Sequence, residues 1–316
     1  MDWPRAKTIL IAAFLALNGF LAYHLYAAPV LAPLEPAYLA AASSDQVARA
    51  FAPYGVRVHL PEAWPNRLPE LEVRGLPPGF DPPQLLAAGE YRQRRIQSYG
   101  VAGTEYVSAL ERLFVAETGW LVYLRHPTGS QPATAARDVP ALTRRAQGFI
   151  RAHGGLPDEV RQAAVHFDAA TKQLWLRYEQ QIEAGSETLP LFNGYVEVRI
   201  DSEAVRSYER RLWAVAGRMA EPEPVLAITT LLLRQLEGGR FRQVVAEGET
   251  AELSAQLGYL VTAERPRQDT DSPTYIALPT WRVTFGPHTF FFAAKSGRPI
   301  ESAFPASVPP ADEGGT

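Results

Sequence analysis

Six histidines are the first residues to test for catalysis or metal binding: His24, His59, His126, His153, His166 and His288. No two stand at a ligand spacing such as HxxxH, and HExxH is absent, so a helical zinc site has no ligand pair. His166, next to Phe167 in a strand pattern, reads as a structural imidazole. Cysteine is absent, which removes disulfides, thiolate metal sites and a Cys nucleophile. There is no GxSxG elbow for a serine nucleophile. Gly238-Gly239-Arg240 lacks the spacing and the Lys-Ser/Thr of a phosphate loop. Glu179, Glu183, Glu197 and Asp201 could in principle supply the paired carboxylates of a glycoside hydrolase. They sit on alternating strand patterns, where a solvated face is the simpler reading. The sequence therefore predicts no catalytic residue, no cofactor and no metal.

Asn18 asks more of its surroundings. From Thr8 to Ala28 there is no Asp, Glu, Lys or Arg, and at ~1.5 Å per residue a helix of that length spans about 30 Å, one bilayer core. Arg5 and Lys7 precede the run and place the N-terminus on the cytoplasmic side. Trp3, Tyr23 and Tyr26 fit interfacial belts. The expectation is a seven-residue cytoplasmic tail (1–7), a transmembrane helix (8–28) and a Pro/Ala-rich stalk (29–43). A cleaved signal peptide ending near Tyr26-Ala27-Ala28 is the rival; the short basic region, Pro29 and Asn18 favour an uncleaved anchor. Ala12, Ala16 and Gly19 align small side chains on one face beside Asn18. In hydrocarbon that amide needs a partner helix, so this face is the expected site of association with another transmembrane helix or its own copy.

The remaining chain is long enough for a substantial core: 316 residues, 47% hydrophobic. A net charge of −3 gives no reason to expect nucleic acid as a partner. Ser43, Ser44 or Asp45 can cap a short helix, DQVARAFAPYG. Strand-like pieces follow, and from Glu105 a meander turns at Thr118-Gly119. The polar stretch from His126 to Ala136 is the expected boundary between a first domain (44–135) and a second (136–303). In the second, helices over Asp138–His153 and Glu223–Leu236, each closed by a Gly pair, precede long alternating strands. That gives two helix-plus-meander units, 136–220 and 221–303, and a disordered tail (304–316). The expected fold class is α+β: a single N-terminal transmembrane helix, then two extracytoplasmic domains of helices packed on antiparallel β-meanders.

Certain residues carry a resemblance. Met1-Asp2-Trp3-x-Arg5-x-Lys7-Thr8-Ile9 followed by Leu17-Asn18-x-Phe20-Leu21 resembles the opening of the YycI family of two-component regulatory proteins. Leu257-Gly258-Tyr259, Pro279-Thr280-Trp281-Arg282-Val283, Phe292-Ala293-Ala294 and Ser296-Gly297 are similar to that family's final meander, which is also PepSY-like, and Phe192-Asn193-Gly194-Tyr195 resembles the family between the two ends. The segment from Pro61 to Arg151 matches no motif of that family. The resemblance implies a non-enzymatic protein of the Gram-positive cytoplasmic membrane, its C-terminal part outside. Such a protein acts with a YycH-like sister to adjust an essential WalK-type sensor histidine kinase that controls cell-wall metabolism. A secreted PepSY-like binding or inhibitor module, or a wall hydrolase, is the competing expectation.

Overall fold

The structure, a computed structural model, describes Phe14, Asn18 and residues 42–86, 90–98, 101–126, 138–185, 187–219, 221–239, 241, 252–262, 274–286 and 288–300. Helix α1 (Ser44–Phe51) begins at a complete capping box. The Ser43 hydroxyl accepts from the Gln46 backbone N–H, and the Gln46 side chain accepts from the Ser43 backbone N–H. Three short strands follow, β1 (Arg57–His59), β2 (Arg67–Leu68) and β3 (Leu71–Gly75). A meander comes next, β4 (Arg92–Ser98), β5 (Val101–Val107), β6 (Glu111–Ala116) and β7 (Leu121–Arg125). Helix α2 (Val139–Ala152) is capped by Asp138, whose carboxylate accepts from the Ala141 N–H. Then come β8 (Val160–Asp168), β9 (Gln173–Ala184), β10 (Glu187–Ile200), β11 (Val205–Arg211), β12 (Trp213–Arg218) and β13 (Glu223–Pro224). Helix α3 (Ile228–Glu237) precedes β14 (Glu252–Thr262), β15 (Thr274–Phe285) and β16 (His288–Ala293).

The expected α+β class is overturned. Strand makes up 52% of the described residues and helix 19%, and fourteen strands join one sheet, ten of them in the order β12-β3-β15-β14-β10-β11-β7-β6-β5-β4. Off this path β16 adds to β15, β9 to β10 with β8 beyond it, and β1 to β14; β2 and β13 form a separate ribbon. The physical reason is long-range pairing. β7 pairs with β11 and β3 with both β12 and β15, so strands far apart in sequence share ladders. Two contacts, β1–β14 and β10–β14, are parallel. The stretch expected to start the last helix instead contributes β13, because Pro222 and Pro224 disfavour helical continuation and Glu223–Pro224 pairs with Arg67–Leu68.

The transmembrane helix expected over 8–28 lies, apart from Phe14 and Asn18, outside the described residues. Among the described residues no helix is long and apolar enough to cross a membrane. Phe14 and Asn18 are helical and exposed. Arg5, Lys7, Ala12, Ala16 and Gly19 lie outside the described residues.

β11 continues into β12 through Leu212, and the pairing path from β10 through β14, β15 and β3 returns to β12. The sheet thus closes on itself. The larger core gathers around this closure, with Trp213, Trp281, Tyr259 and Phe285 packed beneath α1 and α3. A second core lies under α2, where Leu142, Ala146 and Ile150 meet Leu174, Val196 and Val198; each fully buried Leu or Ile stabilises by about 1.5–3 kcal/mol. A third, small cluster holds Phe114, Trp120 and Val122 on the opposite face of the meander.

Candidate functional site

The site begins with an irregularity in β10. Its ladder with β9 runs to Leu191↔Gln180 and resumes at Tyr195↔Glu179, so Phe192, Asn193 and Gly194 face no residue of β9. Two carboxamides replace the missing ladder bonds. Asn193 donates to the Val261 carbonyl at 2.8 Å and accepts the Val261 N–H at 3.0 Å. Gln180 accepts the Trp213 N–H at 2.9 Å and donates to the Trp213 carbonyl at 2.5 Å. A side-chain amide carries one donor group and one acceptor, the same set as a peptide unit, and here it completes pairings that buried backbone requires.

β10 and β14 pair in parallel at Leu191↔Tyr259, and the Asn193 carboxamide extends the junction to Val261. Gly258 allows the junction to close, since a methyl group there would lie 2.4 Å from the Pro190 carbonyl oxygen and 2.6 Å from the Phe192 ring. A cleft of about 960 Å³ lies between two sheet faces. One wall, from β8 to β10, presents Trp175, Arg177, Glu179, Glu197 and Arg199; the other, from β14 to β16, presents Ser254, Gln256, Arg282, Thr284 and Phe291. Alternation along each strand puts these residues on one face and the core residues between them on the other. Phe192 closes the apex, 5.7 Å from Phe291 and with the Arg282 guanidinium 4.4 Å over its ring.

Ion pairs organise the charges. Arg282 crosses the cleft to Glu179 at 2.7 Å, and Arg177 approaches the same carboxylate at 3.6 Å. Glu197 is held by Arg177 at 3.3 Å and Arg199 at 3.2 Å. Each carboxylate is therefore shared between two guanidiniums. Such oxygens are engaged by N–H donors on both sides and are not presented to a reacting atom, so the arrangement suits recognition better than proton transfer. Trp175, also on the wall, has a buried indole N–H with no hydrogen-bond partner.

Behind Arg177 a buried ladder continues. Its guanidinium lies 4.1 Å over the Tyr195 ring, and Arg211 lies 3.8 Å over Trp120. Glu209 accepts from Trp120 Nε1 at 2.9 Å and from the Tyr195 hydroxyl at 2.5 Å, and faces Arg211 at 3.5 Å. Burial pushes the Glu209 carboxyl up and the Arg211 guanidinium down from their ordinary values; Arg211 offsets part of the first and Tyr195 and Glu209 part of the second.

Of the carboxylates singled out from sequence, Glu179 and Glu197 meet in the cleft. Glu183 is exposed on β9. Asp201 organises the turn after β10: it accepts the Glu203 and Ala204 N–H groups at 2.8 and 2.9 Å and pairs with Arg206. Burial would raise its pKa, but these hydrogen bonds outweigh that and lower it. His166 is exposed on β8, a correction to the structural reading. Among the described residues no cluster of His, Asp and Glu could hold a metal ion.

Sequence reasoning missed the arginines. Arg177, Arg199 and Arg282 stand in ordinary strand alternation, and the only local sign of a site was Phe192-Asn193-Gly194. Several segments that carry the resemblance have structural duties at the junction. Tyr259 donates to the Pro69 carbonyl at 3.0 Å, Trp281 Nε1 to the Leu226 carbonyl at 2.9 Å, and Gly297 turns with φ +70 against Leu226.

No family model matches the chain, and no curated protein matches it. A solved structure of an uncharacterized protein from Eubacterium rectale is similar over 78% of this chain and 91% of its own, at a TM-score of 0.44 and 9% identity.

Proposed function

We propose that this protein is a non-catalytic, extracytoplasmic regulator that binds a WalK-type sensor histidine kinase, with the two-walled cleft as its contact surface. The observation that carries the binding role is the sharing of Glu179 and Glu197 between flanking arginines in an open cleft. The kinase as partner, with a YycH-like sister protein beside it, rests on the YycI-like residues. The apolar run from Thr8 to Ala28 after Arg5 and Lys7 supports a place outside the cytoplasm. Regulation then follows from differential contact: binding shifts the kinase between signalling states by no more than the difference in affinity for them.

Site-specific photo-crosslinking in cells tests this reading. A photoreactive residue at Thr289, on the β16 wall of the cleft, is expected to yield an adduct with the kinase. The same residue at Arg95, 80% exposed on the remote edge strand β4, is expected to yield none. Absence of a kinase adduct from Thr289 and from Ala164 on the opposite wall would sink the proposal.

A further inference from the structure

The cleft's charge and surfaces narrow the chemistry of its occupant. Three arginines, Arg177, Arg199 and Arg282, face two carboxylates, Glu179 and Glu197, leaving one positive charge in excess within a chain whose net charge is −3. Resting on the reading of the cleft as a binding site, we propose that it receives an extended acidic peptide segment, one carboxylate of which takes the place of Glu179 on Arg282.

The guanidinium fork matches a carboxylate in two-pronged geometry. Arg282 is already aimed, lying 4.4 Å over Phe192 and hydrogen-bonded to Gln256. Glu179 has a second partner in Arg177 at 3.6 Å, so its displacement does not strand a buried charge. The ion pair between Arg282 and Glu179 joins the two walls, and exchanging it for a ligand carboxylate lets the segment lie between them. The hydroxyls of Ser254 and Thr284, opposite each other in the β14–β15 ladder, supply hydrogen bonds for peptide groups.

The volume of about 960 Å³ is at the upper end for small-molecule sites, and an open cleft between two strand walls has the form of a track for a linear polymer. A glycan would need bare aromatic faces for its sugar rings. Of the aromatic wall residues, Phe192 has its face covered by Arg282 and Phe291 packs beside it at 5.7 Å, which leaves Trp175 alone on the opposite wall and no row of rings for successive sugars. That favours a peptide.

Fluorescence anisotropy on the full chain tests the assignment, with a fluorescein-labelled peptide of alternating Glu and Val as probe. A Lys-Val peptide and a β-1,4-linked N-acetylglucosamine oligomer are the comparison ligands. The Glu-Val peptide is expected to bind, to weaken as salt is raised, and to lose about tenfold in affinity in Arg282→Gln, the loss of one charge-assisted contact. Glu179→Gln removes the internal competitor and is expected to tighten binding several-fold, which a merely structural role of the pair would not do. Arg95→Gln is expected to change nothing. Equal affinity in Arg282→Gln, no binding of the acidic peptide, or preference for the Lys-Val peptide or the oligomer would each overturn the assignment. Kinase adducts from Thr289 without acidic-peptide binding would refute the ligand class alone; loss of both would refute the binding reading as well.

Discussion

Glu209→Leu is expected to destabilise the protein by about 3–5 kcal/mol in urea unfolding, because it removes the carboxylate that faces the buried Arg211 guanidinium at 3.5 Å. Glu209 is 6% and Arg211 2% exposed, so water cannot take over the lost interaction. The same change orphans the Trp120 indole N–H and the Tyr195 hydroxyl, each a further desolvation cost. The double variant Glu209→Leu/Arg211→Met is expected to recover a large part of the loss, since the buried guanidinium disappears with the carboxylate that offsets it. A double variant as unstable as the single one would mean that packing around Trp120, rather than charge, dominates.

Glu209 also gives a pH signature with a definite sign. Its carboxyl is raised above the ordinary value of 4.5, so the folded state holds the proton more tightly than the unfolded chain. The stability this group contributes is fully present below 4.5 and is lost as pH rises through its folded value. Compared with Glu209→Gln, which cannot titrate, wild-type protein is therefore expected to gain relative stability as pH falls toward that range. A flat difference between the two would remove the buried carboxyl from the account of stability.

Gly258→Val is the second large effect, at about 3 kcal/mol or more. A side chain there would meet the Pro190 carbonyl at 2.4 Å, backbone that cannot swing aside, together with the Phe192 ring. β10 and β14 pair at Leu191↔Tyr259 here, so a clash at the junction opens the apex of the cleft. Urea midpoints measure the cost, and the photo-crosslink from Thr289 reports whether the cleft survives. A variant as stable as wild type would mean that the two strands are not held at the spacing described.

Much of the fold was legible because it is local. Period-two alternation marked β9 to β11 and β14 to β16, and Thr118-Gly119 and Thr171-Lys172 marked turns whose Gly119 and Lys172 do adopt positive φ. The face of α2 expected from helical spacing, Leu142, Ala146, Phe149 and Ile150, is buried at Leu142, Ala146 and Ile150 and half-buried at Phe149, with Asp138 and Gly154 at its ends. The pairing of those strands was not legible. Nothing in the local pattern of β3 specifies that it lies between β12 and β15, because ladders between remote strands depend on the closure of the whole sheet. The run VRSYERRLWAVAG has the alternation of a single strand, yet Leu212 divides it and sends its halves to different partners.

The site was hidden for the same reason. Its walls come from residues 163–199 and 254–291, and each wall by itself looks like a solvated strand face. Glu179 and Glu197 could be named from sequence only as members of a longer set; what distinguishes Glu179 from Glu183 is the arrival of Arg282 from a strand some hundred residues away. Asn193 and Gly194 gave a local hint, since an Asn-Gly pair inside an apolar strand suggests a bulge.

The most direct measurement of the central claim is hydrogen exchange on the full chain, alone and with the purified extracytoplasmic domain of the kinase. Added protection is expected in β9, β14 and β16, the strands that line the cleft. Protection confined to other surfaces, such as the β4 edge, with exchange in the cleft strands unchanged, would contradict the assignment of the cleft as the binding site.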